Sequence, residues 1–522
     1  MHFRIQAWCA LAVALLLVIS VAAKADPLTV KTEQGKAHGK TINGDKVRAW
    51  MGLPYAAPPI GELRWKAPQP AAKWKGDRDA TNYGAHCAQN IVFQDMIFQD
   101  SGSSEDCLFL NVYAPATADK KAKLPVMFWI HGGGFSGGGS NEPRHNGDFL
   151  PLKGVVLITI NYRLGVFGFL ATPDLAKEAD GSAGNYGLMD MVAGLKWVKD
   201  NIKEFGGDPG NVTIFGESAG SFAVSTLMAS PMAQGLFHKV IGESGAAVGR
   251  GPLPYGTLAE REVKDAEWVA GLNVTTLAQL RALPTQTILD ACKKPGINFP
   301  PDVDGKLLTE AVPDTYTAGK QAHVPLLAGW NADEGNFMAT QGNTVDKWKA
   351  MGDTLFKDRA AEFIKLYPGD TDEQATRSAI DYGSDAFIAY GTWAWLEAHL
   401  KTGSSPVYRY HFELAATPSE FHQGTFAFHS DDIEYVFGTL DTRPGWEVRP
   451  EDRTLSDQVM TYWTNFAKTG DPNGAGMPVW PKYNDDGHPL IHLNSTITAG
   501  PDALRERYFF LQQGMPAFRM GS

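Results

Sequence analysis

Gly216-Glu217-Ser218-Ala219-Gly220 places a serine between two glycines with the spacing G-x-S-x-G. Its surroundings carry more weight than the pattern, because a chain with 55 glycines produces such pentapeptides by chance. The β-branched and aromatic run 212–215 leads straight into it, and 219–229 reads as a helix that Pro231 helps to end. Strand, sharp turn and helix together hold a serine hydroxyl above a sheet edge, where it can act as a nucleophile. The flanking glycines let the backbone turn tightly, and the helix N-terminus favours the negative charge that develops on attack.

An alkoxide formed by acyl transfer must be met by N–H groups already in place. His131-Gly132-Gly133-Gly134-Phe135 follows the apolar run 124–130 and lets the backbone approach without Cβ atoms in the way. The expected oxyanion donors are Gly133, Gly134 and Ala219. Gly137-Gly138-Gly139 reads as a flexible turn, and a phosphate-binding loop is excluded because no Lys-Ser/Thr follows. His131 is expected to be structural.

A serine nucleophile needs a base, and the base needs a carboxylate that fixes its tautomer. The chain order expected for a strand-turn-helix serine is Ser, then Asp or Glu, then His. Several of the 13 histidines lie beyond Ser218, and residue chemistry leaves the choice among them open. The run 324–328 leads into Asn331-Ala332-Asp333-Glu334-Gly335, where Asp333 and Glu334 both qualify.

The elements that must position these groups are short apolar runs at 124–130, 155–160, 212–215, 240–241, 324–328 and 407–412, each too short for a helix. Helical stretches lie between several of them. In 187–205, Leu188, Val192, Leu195 and Val198 recur at spacings of three or four and make one apolar face. Alternation of strand and helix predicts an α/β fold with a mostly parallel sheet and helices on both faces. Regions 257–322 and 345–399 are more helical and polar, and are expected to form an accessory cap over the site. With no Ser/Gly-rich linker, 26–522 is expected to be one domain.

The chain has 522 residues, 43% hydrophobic and 20% charged, which describes an ordinary globular protein. Arg4, the apolar stretch 10–21 and Ala23-Lys24-Ala25 read as a signal peptide over 1–25, with the mature chain starting at Asp26. The stretch is short for a membrane span of roughly 20 residues. Loss of Arg4 and Lys24 makes the net charge of −11 two units more negative. Such an acidic chain without a basic run is a poor partner for nucleic acid or anionic lipid. The expected partner is therefore a small-molecule substrate, the expected location periplasmic or secreted, and the expected state a monomer or homodimer. Export permits disulfides, and a bond from Cys87 to Cys107 would close a loop of about 20 residues, worth roughly 3 kcal/mol. Cys292 is left as a buried thiol. No spacing of Cys or His suggests zinc, so no metal or cofactor is expected.

Several blocks resemble the type-B carboxylesterases, the family that includes cholinesterases and bacterial p-nitrobenzyl esterases. They include Gly61-Glu62-Leu63-Arg64-Trp65, Ser104-Glu105-Asp106-Cys107-Leu108-Phe109-Leu110-Asn111, Asn161-Tyr162-Arg163-Leu164-Gly165 and the Tyr462 to Gly470 block. The resemblance spans nearly the whole mature chain and implies the α/β-hydrolase fold and carboxylic ester hydrolysis. It implies that the acid is Glu334, in Asp-Glu-Gly, and that the base is His429, just before Ile433-Glu434-Tyr435-Val436-Phe437-Gly438, with His422 as the alternative. It also implies a Cys87–Cys107 disulfide and buried pairs of Arg64 with Glu105 and Arg163 with Asp190. Glu217 and Ser244 are implied as auxiliary polar groups near the base. Cholinesterases carry a Trp in the loop between the first two cysteines, which binds quaternary ammonium through its π-face. The segment 88–106 has none, so choline esters are not expected. Phe93, Phe98 and Phe135 are expected to make an apolar entrance instead. The competing readings are an amidase, lactonase or thioesterase on the same groups, and a non-catalytic binding protein on the same fold.

Overall fold

Along Leu124–Ile130, Val126, Phe128 and Ile130 pack into one core while Met127 and Trp129 pack into another. The same period of two divides Val156, Ile158 and Ile160 from Leu157, and Leu326, Ala328 and Trp330 from Leu327. Strands covered on both faces read as unbroken apolar runs, which is why these segments were legible as strands.

The computed structural model describes residues 26–249, 251–484 and 486–516. The expected signal peptide, 1–25, lies outside the described residues. Among these residues the largest sheet has eleven strands: β1 (Lys40–Ile42), β2 (Val47–Pro54), β3 (Phe109–Pro115), β4 (Leu124–Ile130), β5 (Val156–Ile160), β6 (Gly207–Glu217), β7 (Lys239–Glu243), β8 (Leu326–Asn331), β9 (Val407–Phe412), β10 (Pro489–Leu493) and β11 (Thr498–Pro501). Their spatial order is β1-β2-β3-β5-β4-β6-β7-β8-β9-β10-β11. From β5 to β10 every pairing is parallel, and antiparallel strands finish both edges. The strand expected over 324–328 runs instead from Leu326 to Asn331. Pro325 has no N–H to give a ladder, so pairing starts after it, and the strand then delivers Asp333 and Glu334 at its C-terminal end.

Helices cover both faces. Helix α1 (Tyr186–Asn201) and helix α2 (Ala219–Ala229) bury Leu188, Val192, Leu195, Ala223, Val224 and Leu227 in the first core. Accessory helices α3 (Leu258–Ala270), α4 (Asp372–Ser384) and α5 (Tyr390–Thr402) lie in the two regions expected to be helical. On the other face, the twenty-residue α6 (Pro450–Thr469) packs Leu455, Val459, Trp463 and Phe466 against the second core.

The two expected buried ion pairs are present. Arg64 and Glu105 meet at 2.7 and 2.5 Å, and Arg163 and Asp190 at 2.8 and 2.7 Å, each through two parallel contacts. Arg163 is 3% exposed and Asp190 not at all, so neither charge can turn to water if the other is lost. Asp190→Ala is expected to lower stability by about 3–5 kcal/mol in equilibrium urea unfolding. A loss under about 1 kcal/mol, the size of an exposed pair, would contradict the buried-pair reading.

Candidate active site

Four loops leave the C-terminal ends of neighbouring parallel strands and converge. Strand β4 leads into the Gly-rich loop, β6 into Ser218, β7 into Ser244 and β8 into Glu334. Open α/β sheets bind their ligands outside this edge, because the connections there diverge and leave a crevice.

Ser218 links β6 to α2 with φ 53° and ψ −121°, a conformation costly for any residue with a side chain. The turn is held by Ser218 N–H donating to the Glu243 carbonyl at 2.9 Å and Phe222 N–H donating to the Ser218 carbonyl at 2.9 Å. It is also crowded: a Cβ on Gly220 would stand 2.0 Å from the Ile130 carbonyl oxygen. Only glycine lets the first turn of α2 press against β4.

The Ser218 hydroxyl lies 2.8 Å from Nε2 of His429, and Nδ1 of His429 lies 2.5 Å from Oε2 of Glu334. Glu334 is fully buried, and its other oxygen accepts the Ser244 hydroxyl at 2.6 Å and the Asn331 N–H at 2.8 Å. Those bonds leave the carboxylate a single orientation. Asp333, the other sequence candidate, turns away. It accepts Arg377 at 2.6 Å and the Ala427 N–H at 3.0 Å, and so pins the segment that carries His429. His422, the alternative base, lines the cavity that opens on Ser218 but stacks on Phe428 at 3.8 Å and faces Asp95 at 3.5 Å, whereas the Ser218 hydroxyl meets His429. Burial would raise the Asp95 carboxyl, but His422 and Arg144 override it and hold it at about 2. Phe387, from the single wide turn Asp385–Ala389, sets its ring edge-on to His429 at 5.0 Å.

Glu217 reaches the same imidazole, with Oε1 3.4 Å from His429 Nε2. Ser244 joins the group through Glu334, not through Glu217. Burial pushes the Glu217 carboxyl up to about 8, and the nearby Asp432 and Glu334 carboxylates add to it. Burial acts on His429 in the opposite direction, but Glu217 and Glu334 outweigh it and raise the imidazole to about 9. Both groups therefore hold protons more tightly than they would in water. His131 shows the contrasting case: buried and stacked on Tyr162 at 4.4 Å, it is pushed down to about 4, consistent with a structural role.

The Gly-rich loop lies directly against the serine turn. A Cβ on Gly132 would come 2.7 Å from Glu217 Oε2 and 3.1 Å from the Ser218 Cβ. Gly133 and Gly134 both have positive φ, 100° and 61°. Neither N–H is taken by a protein acceptor among the described residues. Ala219 is the first residue of α2, so its N–H has no partner within the helix.

A cavity of about 200 Å³ opens on Ser218 and His429. Phe93, Asp95 and Met96 line one wall, from the loop that the Cys87–Cys107 disulfide closes. Arg144, Asn336, Phe428 and Ile433 line others. Of the three phenylalanines expected at the entrance, only Phe93 lines the cavity. Phe98 stacks on His86 at 4.1 Å, and Phe135 is buried against Tyr162 and Phe169. Arg144, Asp95 and Asn336 carry no motif and went unforeseen. Cys292 is a free thiol, but it is only partly buried where a buried one was expected.

The Carboxylesterase family model matches residues 26–510. The chain belongs to the carboxylesterase family. It is 35% identical to para-nitrobenzyl esterase of Bacillus subtilis (strain 168), over 92% of this chain and 97% of that protein. It is 34% identical to fumonisin B1 esterase of Sphingopyxis macrogoltabida, over 92% and 89%, and to carboxylesterase 5A of Canis lupus familiaris, over 94% and 90%. A solved PNB esterase structure superposes with a TM-score of 0.80 at 34% identity, covering 93% of this chain and all of that one. The fold is therefore that of the α/β-hydrolases, and the chain is a carboxylic ester hydrolase.

If His429 is the base toward Ser218 it must lose its own proton first, so its raised pKa would move the onset of activity to higher pH. The rising limb of kcat/KM against pH is expected to have its midpoint above ~6.5, the ordinary imidazole value. Glu217→Gln removes one of the carboxylates that raise His429, and is expected to shift that midpoint down by roughly one unit. An unchanged or raised midpoint in the variant would contradict the assignment.

Proposed function

We propose that the chain cleaves small-molecule carboxylic esters through an acyl-enzyme on Ser218, with His429 as base, Glu334 as its orienting acid and Gly133, Gly134 and Ala219 as oxyanion donors. The observation that supports this reading is the unbroken series of contacts from Ser218 Oγ through His429 to Glu334, at 2.8 and 2.5 Å. His429 takes the hydroxyl proton as Ser218 Oγ attacks the ester carbonyl carbon. The carbonyl oxygen becomes an oxyanion beside the free N–H groups of the Gly-rich loop and of α2. Collapse breaks the bond to the alcohol, which leaves with the proton held on His429. Water then repeats the sequence on the acyl-enzyme and returns the serine. Glu334 stabilises the imidazolium formed at each step, and its bonds to Ser244 and Asn331 keep it from following the ring. Glu217 adds a second carboxyl to the same imidazolium, and Ser244 acts only through Glu334.

The same reading takes 1–25 as an export signal and 26–522 as the mature single domain. Export would let the Cys87–Cys107 bond persist while it ties the loop bearing Phe93 and Met96 beside the cavity.

A fluorophosphonate probe is expected to label Ser218 stoichiometrically, and Ser218→Ala to abolish labelling and cut turnover on a p-nitrophenyl ester by about 10⁶-fold. Labelling elsewhere, or a turnover loss under about tenfold, would overturn the assignment. Run beside the esters, an anilide, a lactone and a thioester separate the acyl classes. Faster turnover of any of these than of the best ester would replace ester hydrolysis as the principal activity.

A further inference from the structure

Residues i and i+2 of a strand project from the same face, and so do residues directly opposite on a paired strand. His411 on β9 pairs in register with His492 on β10, and Glu413 follows His411 by two residues. The fold therefore sets two imidazoles and a carboxylate side by side at the edge of the parallel sheet, on elements other than those that hold Ser218. Glu413 Oε1 lies 2.8 Å from Nδ1 of His411 and 2.6 Å from Nδ1 of His492. All three donor atoms lie within 4.8 Å of one another. Among the described residues this is the one grouping of His, Cys, Asp or Glu spaced to hold a metal ion.

We propose that His411, Glu413 and His492 form a zinc site that staples β9 to β10. The donor set decides the ion. Two imidazole nitrogens with one carboxylate oxygen suit Zn²⁺, whereas Ca²⁺ and Mg²⁺ take oxygen ligands. Zn–N and Zn–O bonds of roughly 2.0–2.2 Å put tetrahedral ligand atoms about 3.3–3.6 Å apart, so Glu413 Oε1 has to draw back from each Nδ1 by roughly half an ångström to one ångström, a side-chain adjustment that leaves the strands in place. Each neutral imidazole moves its proton to Nε2, and the freed Nδ1 lone pair faces the ion. The three side chains are 14, 28 and 27% exposed for His411, His492 and Glu413, which admits the ion and leaves a water as fourth ligand. Arg409, two residues before His411 and on the same face, does not oppose the charge because it is paired with Asp502. The Trp330 ring lies on the other side of His411 at 6.3 Å and limits its swing. Spacing could not reveal this site, because His492 is 79 residues from Glu413.

The role follows from position. Strand β10 is the last parallel strand, held on its outer side only by the short β11, whose residues are mostly exposed. A metal bridging β9 and β10 ties that edge to the strand beside β8, which carries Glu334 in the loop that follows it.

The test uses the untagged full chain, stripped of metal with a chelator, and Zn²⁺ alone as the probe. Isothermal titration is expected to give saturable binding of one ion per chain, and Zn²⁺ to raise the thermal midpoint. His492→Ala is expected to weaken binding by about tenfold or more and to remove the rise in midpoint. Glu413→Gln keeps the shape of the cluster and is expected to weaken binding likewise, so a poorly folded alanine variant does not decide the matter. Ester turnover in both variants should stay within about twofold of the parent, since a sheet-edge staple leaves the transition-state contacts in place. Two results would overturn the proposal. One is Zn²⁺ binding that fails to saturate at one ion per chain, which would make the cluster a hydrogen-bonded clip only. The other is one-to-one binding that survives unchanged in both variants, which would put the ion elsewhere.

Discussion

His429 is held between two oxygen atoms that come from distant parts of the chain, one 211 residues before it and the other 95. Neither contact can form unless the sheet is complete from β6 to β9, because Ser218 and Glu334 each stand at the C-terminal end of their own strand and His429 returns from beyond β9. A serine hydroxyl alone is a weak nucleophile, and an imidazole alone can turn to either tautomer. The buried Glu334 carboxylate settles the tautomer, and its own freedom has already been removed by Ser244 and Asn331. Most of the molecule can be read as the apparatus that keeps this row of atoms in line. The two cores lock the strands. Asp333 fastens the segment that carries His429. Phe387 closes the far side of the ring.

The electrostatics of the site follow from the same burial. Glu217 and Asp432 lie close to the buried Glu334 with little water, and burial, helped by the neighbouring carboxylates, raises the pKa of both. The imidazole sits against these carboxylates, with Arg144 the other cation acting on Glu217, and so it is stabilised when charged. On the proposed mechanism that is the charge state the ring reaches in the transition state, when it holds the serine proton. A resting ring that binds its proton more tightly makes a stronger base once deprotonated, but fewer molecules are deprotonated at neutral pH. The protein thus trades the fraction of active enzyme against the strength of the base. Glu217, the residue immediately before Ser218, contributes to that balance together with Glu334 and Asp432.

Much of this was legible in the sequence where chemistry and geometry coincide locally. Ser218 announced itself because strand, turn and helix are contiguous. The central strands were legible because they are covered on both faces and read as unbroken apolar runs. The outer strands were not, because Val47–Pro54 contains Arg48 and Gly52 and Thr498–Pro501 is nearly all exposed. The base and acid could not be chosen from residue types. Asp333 and Glu334 are adjacent, and only the path of the backbone decides which faces His429; family resemblance had to select them. Asp95, Arg144 and Asn336 were invisible because cavity walls are assembled across the chain with no fixed spacing. Phe135, which looked like an entrance residue, adopts φ 56° and turns inward to pack on Phe169, a reversal that no propensity signals.

If the row acts as one unit, removing a second member after the first should cost almost nothing. Turnover of Ser218→Ala, His429→Ala and the double variant on one activated ester measures this directly. The account predicts that the double variant loses about as much as Ser218→Ala alone. Losses that multiply between the two positions would mean that His429 acts independently of Ser218, and would contradict the central claim.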